Sequence, residues 1–355
     1  MIENLKLLAL PFLIAVLVVW LAIPAAHRLG LVDKPGGRKA HAKTTPLVGG
    51  IGIILGLIVG LLISGNQSEL LNIAPGLLIG SVVMFVAGLI DDRHPLDFKI
   101  RLLLQGGAGF LMAWSGEARM TDIGEAIPGM VIALGAFAIP MTIIGTIGVI
   151  NSVNMIDGVD GLAGGLSVVI LTFLGILGYL AGDELAFKVA LISAGCIVGF
   201  LMFYFPSRGR AHATVFLGNS GSVLVGFLIA WLFMRLAEEP NRAFAPVTAL
   251  WLFSVPMMDT LAVITRRIWL GKSPFTADRS HVHHLLNDAG FRVGQTVGIL
   301  MAVQALLGMA GLIGEFVGVP HVVMALLFVT VFASYLYAMA RPWRAIPFLR
   351  LVHRR

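Results

Sequence analysis

Between residues 151 and 161 the chain reads "NSVNMIDGVDG", in which Asn151, Asn154, Asp157 and Asp160 recur every three residues. On a helix, residues three apart share a face, so two amides and two carboxylates can converge on one ligand. Oxygen donors of this kind suit a hard divalent cation such as Mg²⁺ and the oxygens it bridges. A turn that merely caps a helix needs fewer such groups. Gly158, Gly161, Gly164 and Gly165 follow closely, and glycines let backbone approach a phosphate at the start of a helix.

Other clusters carry complementary chemistry. "GLIDDR" holds Asp91 and Asp92, adjacent acids able to supply a metal ligand and a proton acceptor. The plainer alternative is a solvated helix end with Arg93 and His94 as partners. "DRSHVHHLL" holds Arg279, His281, His283 and His284 without any cysteine or zinc-type spacing. These cations suit phosphate or pyrophosphate oxygens, against the alternative of a lipid-facing basic loop. "FLGNSGS", residues 216–222, reads by itself as a small-residue patch for helix packing. Beside the other clusters it becomes a candidate wall of the same pocket. "DKPGGRKAHAKTTPLVGG" adds Arg38, Lys39, His41 and Lys43, whose plain reading is a basic cytosolic loop.

The elements that must position these groups are membrane helices. Of 355 residues, 58% are hydrophobic and 12% charged, and the mean hydropathy is +0.93, whereas soluble domains carry about 25% charged residues. The composition predicts an all-α integral membrane protein in one polytopic domain. Apolar windows long enough to cross a core of about 30 Å fall near 5–25, 46–64, 74–90, 102–116, 129–150, 162–181, 186–205, 213–234, 246–265, 295–314 and 319–339. About eleven spans are therefore expected, the first of them retained because it lacks the basic lead of a secretory signal. Cys196 is alone and cannot form an internal disulfide.

With eleven spans, connections alternate between two faces, and 20 of the 25 lysines and arginines fall on one. The excess marks that face as cytosolic, which puts the N-terminus outside, the C-terminus in the cytosol and every polar cluster on the cytosolic side. Acids, amides and cations at such an interface fit phosphoryl transfer between a soluble phosphate compound and a membrane-embedded partner, since that chemistry rests on positioning and charge neutralisation. A secondary transporter is the rival reading, but transporters hold their polar groups near the bilayer midplane.

In order and interval, "RKAHAKTTPLVGG", "GLIDDR", "NSVNMIDGVDGLAGG", "FLGNSGS" and "PFTADRSHVHHLL" resemble the polyprenyl-phosphate N-acetylhexosamine-1-phosphate transferases. The "HVHH" after "ADRS" is similar to the undecaprenyl-phosphate GlcNAc-1-phosphate branch. The resemblance implies UDP-N-acetylglucosamine as donor, undecaprenyl phosphate as acceptor, Mg²⁺ or Mn²⁺ as cofactor, and no nucleic acid. It further implies the bacterial cytoplasmic (inner) membrane as location and initiation of a cell-surface polysaccharide as role. By the same resemblance Asp91, Asp92 and Asp157 are catalytic, with Asp91 and Asp92 handling the lipid phosphate and its proton. Asn154 and Asn219 hold the metal, while Asp160, Phe216 and Asn151 bind the nucleotide. Arg279, His281, His283 and His284 meet pyrophosphate and sugar, and Lys43 and His41 lie near the lipid phosphate. Membrane proteins of this kind often pair, so a homodimer is an expected assembly. One departure stands out: the family pattern has aspartate where this chain has Asn219, and an amide brings the metal no charge.

Overall fold

The computed structural model describes residues 2–33, 44–65, 74–127, 129–205, 213–238, 242–273, 281–341, 345–347 and 349–350. The predicted Lys43, His41 and Arg279 lie outside the described residues, as do Arg38 and Lys39. The molecule is mostly helical. Its principal helices are α1 (Ile2–Leu29), α2 (Gly49–Ile63), α3 (Pro75–Arg93), α4 (Phe98–Trp114), α5 (Ala138–Ile156), α6 (Leu162–Ala181) and α7 (Glu184–Tyr204). Then come α8 (Gly218–Leu236), α9 (Pro246–Leu252), α10 (Ser254–Trp269), α11 (Val282–Asp288), α12 (Val293–Val317) and α13 (His321–Ala340). Two short antiparallel pairs complete it, β1 (Val32–Asp33) with β2 (Thr45–Pro46) and β3 (Asp122–Ile127) with β4 (Met130–Ala133).

Among the described residues, eight helices are long and apolar enough to cross a membrane, or nine with α9 and α10 counted as one bent span. The expected eleven are not reached because α2 has 15 residues and α4 has 17, rises of only about 22 and 26 Å. Two predicted spans also need redrawing. The window 129–150 begins instead as the strand β4, turned back on β3 through Gly129 at φ +83°, and its helix starts at Ala138. The window 246–265 is broken at Phe253, with α9 and α10 bent by 86°. Gln304 of α12 spans the break, accepting from Val255 N–H at 3.0 Å and donating to the Leu252 carbonyl at 2.9 Å. In an apolar layer a broken helix needs such a side chain to satisfy its freed backbone groups.

Helix α8 forms the centre and is buried along nearly its whole length. Its neighbours close on its N-terminal turn because they offer glycine there. A Cβ at Gly88 of α3 would lie 2.5 Å from Ser220 Cα, and one at Gly50 of α2 would lie 2.6 Å from Gly221 N. "FLGNSGS" is thus a packing patch on two sides, which leaves Asn219 to face elsewhere. At the other end of the bundle the acids serve structure. Glu117 accepts from Gly76 N–H, Leu77 N–H, the Ser115 hydroxyl and the Trp231 indole, capping α3. Asp183 pairs with Arg235 at 2.6 Å and Asp122 with Arg242.

Candidate active site

Four helix ends meet where the polar motifs cluster. Asp92, in the last turn of α3, reaches the first turn of α8 and accepts the N–H groups of Asn219 at 2.7 Å and Ser220 at 3.0 Å, with the Ser220 hydroxyl at 2.8 Å. No residue of α8 caps its own N-terminus with a side chain, so a carboxylate from another helix satisfies those donors and suits the positive end of the dipole. Gly218, at φ +73°, is required there: a Cβ would stand 2.7 Å from Asp92 Oδ2. Asp92→Ala is expected to cost about 1–3 kcal/mol, as loss of a cap and of bonds to a charged acceptor does. Thermal unfolding of the detergent-purified protein checks this, and a Tm within about one degree of the parent's would contradict it.

Asp91 points away from its neighbour, since successive helical residues lie about 100° apart. Its oxygens take the Leu96 N–H at 2.6 Å and Arg101 at 3.4 Å, in a small cleft between α3, α4 and α8 that Gly88, Gln105 and Val223 help to line. Asn151 turns the same way, donating to Gln105 Oε1 at 2.7 Å and to the Ile147 carbonyl. Asn154 faces the other side. It donates to Asn219 Oδ1 at 2.9 Å and to Ser222 Oγ at 2.8 Å, linking the end of α5 to the start of α8.

The ladder read from the sequence continues only partly as a helix. Helix α5 stops at Ile156, Asp157 is its C-cap, and Asp160 sits in the turn that Gly161, at φ +86°, closes into α6. Gly164 and Gly165 lie inside α6, against Leu201 and Met301, and serve packing. Asp157 Oδ1 accepts the Tyr204 hydroxyl at 2.8 Å, and Asp160 Oδ2 accepts the Ala213 N–H at 2.9 Å. Phe216 hydrogen-bonds through its backbone to Pro46 and sets its ring edge-on to Tyr204, centroids 6.3 Å apart.

Burial pushes the Asp157 carboxyl up to about 7; the Tyr204 bond works against this and the nearby Asp92 and Asp160 add to it. A raised folded value means the proton stabilises the fold at low pH, and that contribution is lost as pH climbs from the unfolded value of about 4 through 7. Asp157→Asn is expected to flatten this part of a Tm-against-pH curve. Parallel curves for parent and variant would contradict it.

The histidines stand over this turn. His283 is buried, and among the described residues neither ring nitrogen has a hydrogen-bond partner. A Cβ at Gly158 would lie 3.0 Å from its Nε2, so glycine is what lets the ring sit so close to Asp157. Burial, with His284 and His281 adding to it against the opposing Asp259, lowers His283 to about 3. The ring is therefore neutral near pH 7 and free to donate or accept. His281 and His284 adjoin it, with ring centroids 5.4 and 4.3 Å from that of His283.

Among the described residues no three of His, Cys, Asp and Glu converge as a cation site. The donors that do cluster are oxygens: the Asn154 and Asn219 amides and the Asp157 carboxyl, whose proton affinity the nearby Asp92 helps to raise. An oxygen-only set fits Mg²⁺ or Mn²⁺ and is unlike a zinc site. Its deficit is charge, because position 219 is an amide.

The family model for glycosyl transferase family 4 matches residues 74–237. Similar curated proteins are named undecaprenyl-phosphate alpha-N-acetylglucosaminyl 1-phosphate transferase. That of Yersinia pestis is 35% identical over 345 residues, which is 97% of this chain and 93% of the relative. That of Escherichia coli K12 is 34% identical over the same shares, and that of Haemophilus influenzae is 37% identical over 97% of this chain and 96% of the relative. The chain belongs to this transferase family. The family-4 match contains Asp91, Asp92, the 151–160 ladder and Asn219, while the histidines lie beyond it. The longer likeness to the undecaprenyl-phosphate transferases extends over almost the whole chain.

Proposed function

We propose that this protein transfers N-acetylglucosamine-1-phosphate from UDP-N-acetylglucosamine to undecaprenyl phosphate, with UMP as the other product. An oxygen of the lipid phosphate attacks the sugar-linked phosphorus; the new P–O bond forms as the bond from that phosphorus to the UMP oxygen breaks. The observation that carries this reading is the joint of α3, α5 and α8 through Asp92, Asn219 and Asn154, beside Asp157 and under His283. It gathers oxygen donors, a carboxyl with raised proton affinity and a neutral imidazole at one point. Family membership supplies the chemistry to match.

In this reading Asn154, Asn219 and Asp157 hold Mg²⁺ or Mn²⁺, which neutralises charge on the diphosphate when bound. Asp157 faces the reacting phosphates, and Tyr204 orients it. Asp91, with Arg101 beside it, meets the lipid phosphate and its proton from the cleft between α3 and α4. Asp92 keeps the α8 turn in place. Asp160, Phe216 and Asn151 receive the nucleotide, and Arg279, His281, His283 and His284 meet the pyrophosphate and sugar. Lys43 and His41 serve the lipid phosphate vicinity. A phosphate monoester dianion is already a nucleophile and needs little activation, so we favour one direct displacement.

The proposed topology has eleven spans, α2 and α4 among them, with the N-terminus outside and these helix ends at the cytosolic face of a bacterial inner membrane. A homodimer is the proposed assembly. Donor choice is tested by UMP release from UDP-GlcNAc, UDP-GalNAc and UDP-MurNAc-pentapeptide with undecaprenyl phosphate. UDP-GlcNAc is expected to be used best, and preference for either other donor would refute the specificity.

A further inference from the structure

Asp259 is 1% exposed inside the bent span, on α10. A carboxylate there is costly unless its lone pairs are used, and three donors use them. His281 Nδ1 lies 2.7 Å from Oδ2, while Val282 N–H and the Tyr335 hydroxyl lie 2.9 and 2.8 Å from Oδ1. Two of the donors belong to the start of α11 and the third to α13, 76 residues along the chain from Asp259. One carboxylate thus ties the histidine segment to two other helices.

An ionised carboxylate only accepts, so Nδ1 of His281 carries the hydrogen, and Nε2 is the nitrogen left for a ligand. The His281 ring lies parallel to that of His283, with 5° between planes, and His283 covers Gly158 beside Asp157. A displacement of Asp259 would therefore reach the Asp157 turn through two stacked rings.

We propose that Asp259 and Tyr335 are positioning residues for phospho-sugar transfer: they fix the tautomer and seat of His281 so that its Nε2 meets the oxygens of the diphosphate. This rests on the function proposed above. Neither residue touches substrate in this scheme. Both lie outside the stretch that matches the family model.

The test compares UMP release from UDP-GlcNAc and undecaprenyl phosphate by the full-length parent, Asp259→Asn, Tyr335→Phe, His281→Gln and both double variants with His281→Gln. Folding is checked by Tm and elution profile. Asp259→Asn is expected to lower kcat about 10- to 100-fold, the range for orienting partners of a site ligand, with KM for the sugar nucleotide moving less than about threefold. Tyr335→Phe is expected to lower kcat several-fold. Each double variant should lose no more than His281→Gln alone, because the residues act through one ring. Losses that multiply, or a full kcat in both single variants, would overturn the proposal. Should Asp259→Asn not fold, Tyr335→Phe and its double variant decide by the same criteria. Nitrogen NMR of histidine-labelled protein gives a readout independent of turnover: the Nδ1–H signature removed by His281→Gln should also change in Asp259→Asn. A parent that releases no UMP but keeps that signature would refute the function and leave the positioning contact standing; an unchanged signature would refute the contact.

Discussion

Asn219→Asp is expected to raise UMP release about 10- to 100-fold at low Mg²⁺, with the gain shrinking as Mg²⁺ is raised toward saturation. The amide oxygen of Asn219 accepts from Asn154 at the head of α8 and brings no charge to the proposed metal site, whose one carboxylate is that of Asp157. A carboxylate there adds the charge a hard cation is held by. The same charge is a burden without the cation, because Asp157 already suffers from burial and from Asp92 and Asp160. The metal-free Asn219→Asp protein should therefore unfold at a lower temperature than the parent and gain more from added Mg²⁺. Equal rates at every Mg²⁺ concentration would remove the idea that Asn219 weakens the site.

Asp157→Asn should have the largest effect in the other direction, a fall in kcat of about 10²- to 10⁴-fold. Asp157 is the carboxyl that touches the Tyr204 hydroxyl, lies beneath the histidines and belongs to a turn rather than a rigid helix. Asp160→Asn is expected to act mainly on KM for the sugar nucleotide, since that carboxylate is spent on the Ala213 N–H at the edge of the site. Tyr204→Phe should lie between them, keeping the ring packed on Phe200 and Phe216 while releasing Asp157. An Asp157→Asn protein retaining more than about a tenth of parental kcat would exclude the assigned role.

Part of this fold and site is legible in the motifs and part is not, for physical reasons. Long apolar runs disclose helices because the bilayer fixes their length, and acids, amides and histidines at their ends mark a site. Local spacing then misleads where the helix ends: Asn151 and Asn154 are three residues apart yet bond to different helices, Gln105 of α4 and Asn219 of α8. Asp91 and Asp92 are adjacent but serve a cleft and a helix cap. The break at Phe253 depends on Gln304, and the seat of His281 on Tyr335. Gln304 bonds residues 49 and 52 positions away, and Tyr335 bonds the Asp259 that seats His281, 76 positions away, so no window of sequence contains the interaction. Tyr204 carried a weaker signal, a hydroxyl closing an apolar span, which when buried needs a partner. Strand β4 falls inside the expected span 129–150 because its valine and isoleucine suit a strand and a membrane helix alike.

The most direct measurement uses UDP-GlcNAc labelled with ³²P on the sugar-linked phosphorus, mixed with undecaprenyl phosphate and Mg²⁺ in vesicles holding the full-length protein. Phospho-sugar transfer predicts that the label moves to the lipid fraction while unlabelled UMP appears in equal amount. Label that stays in water-soluble UDP, or lipid that gains sugar without it, would contradict the assignment of this chain as a phospho-sugar transferase.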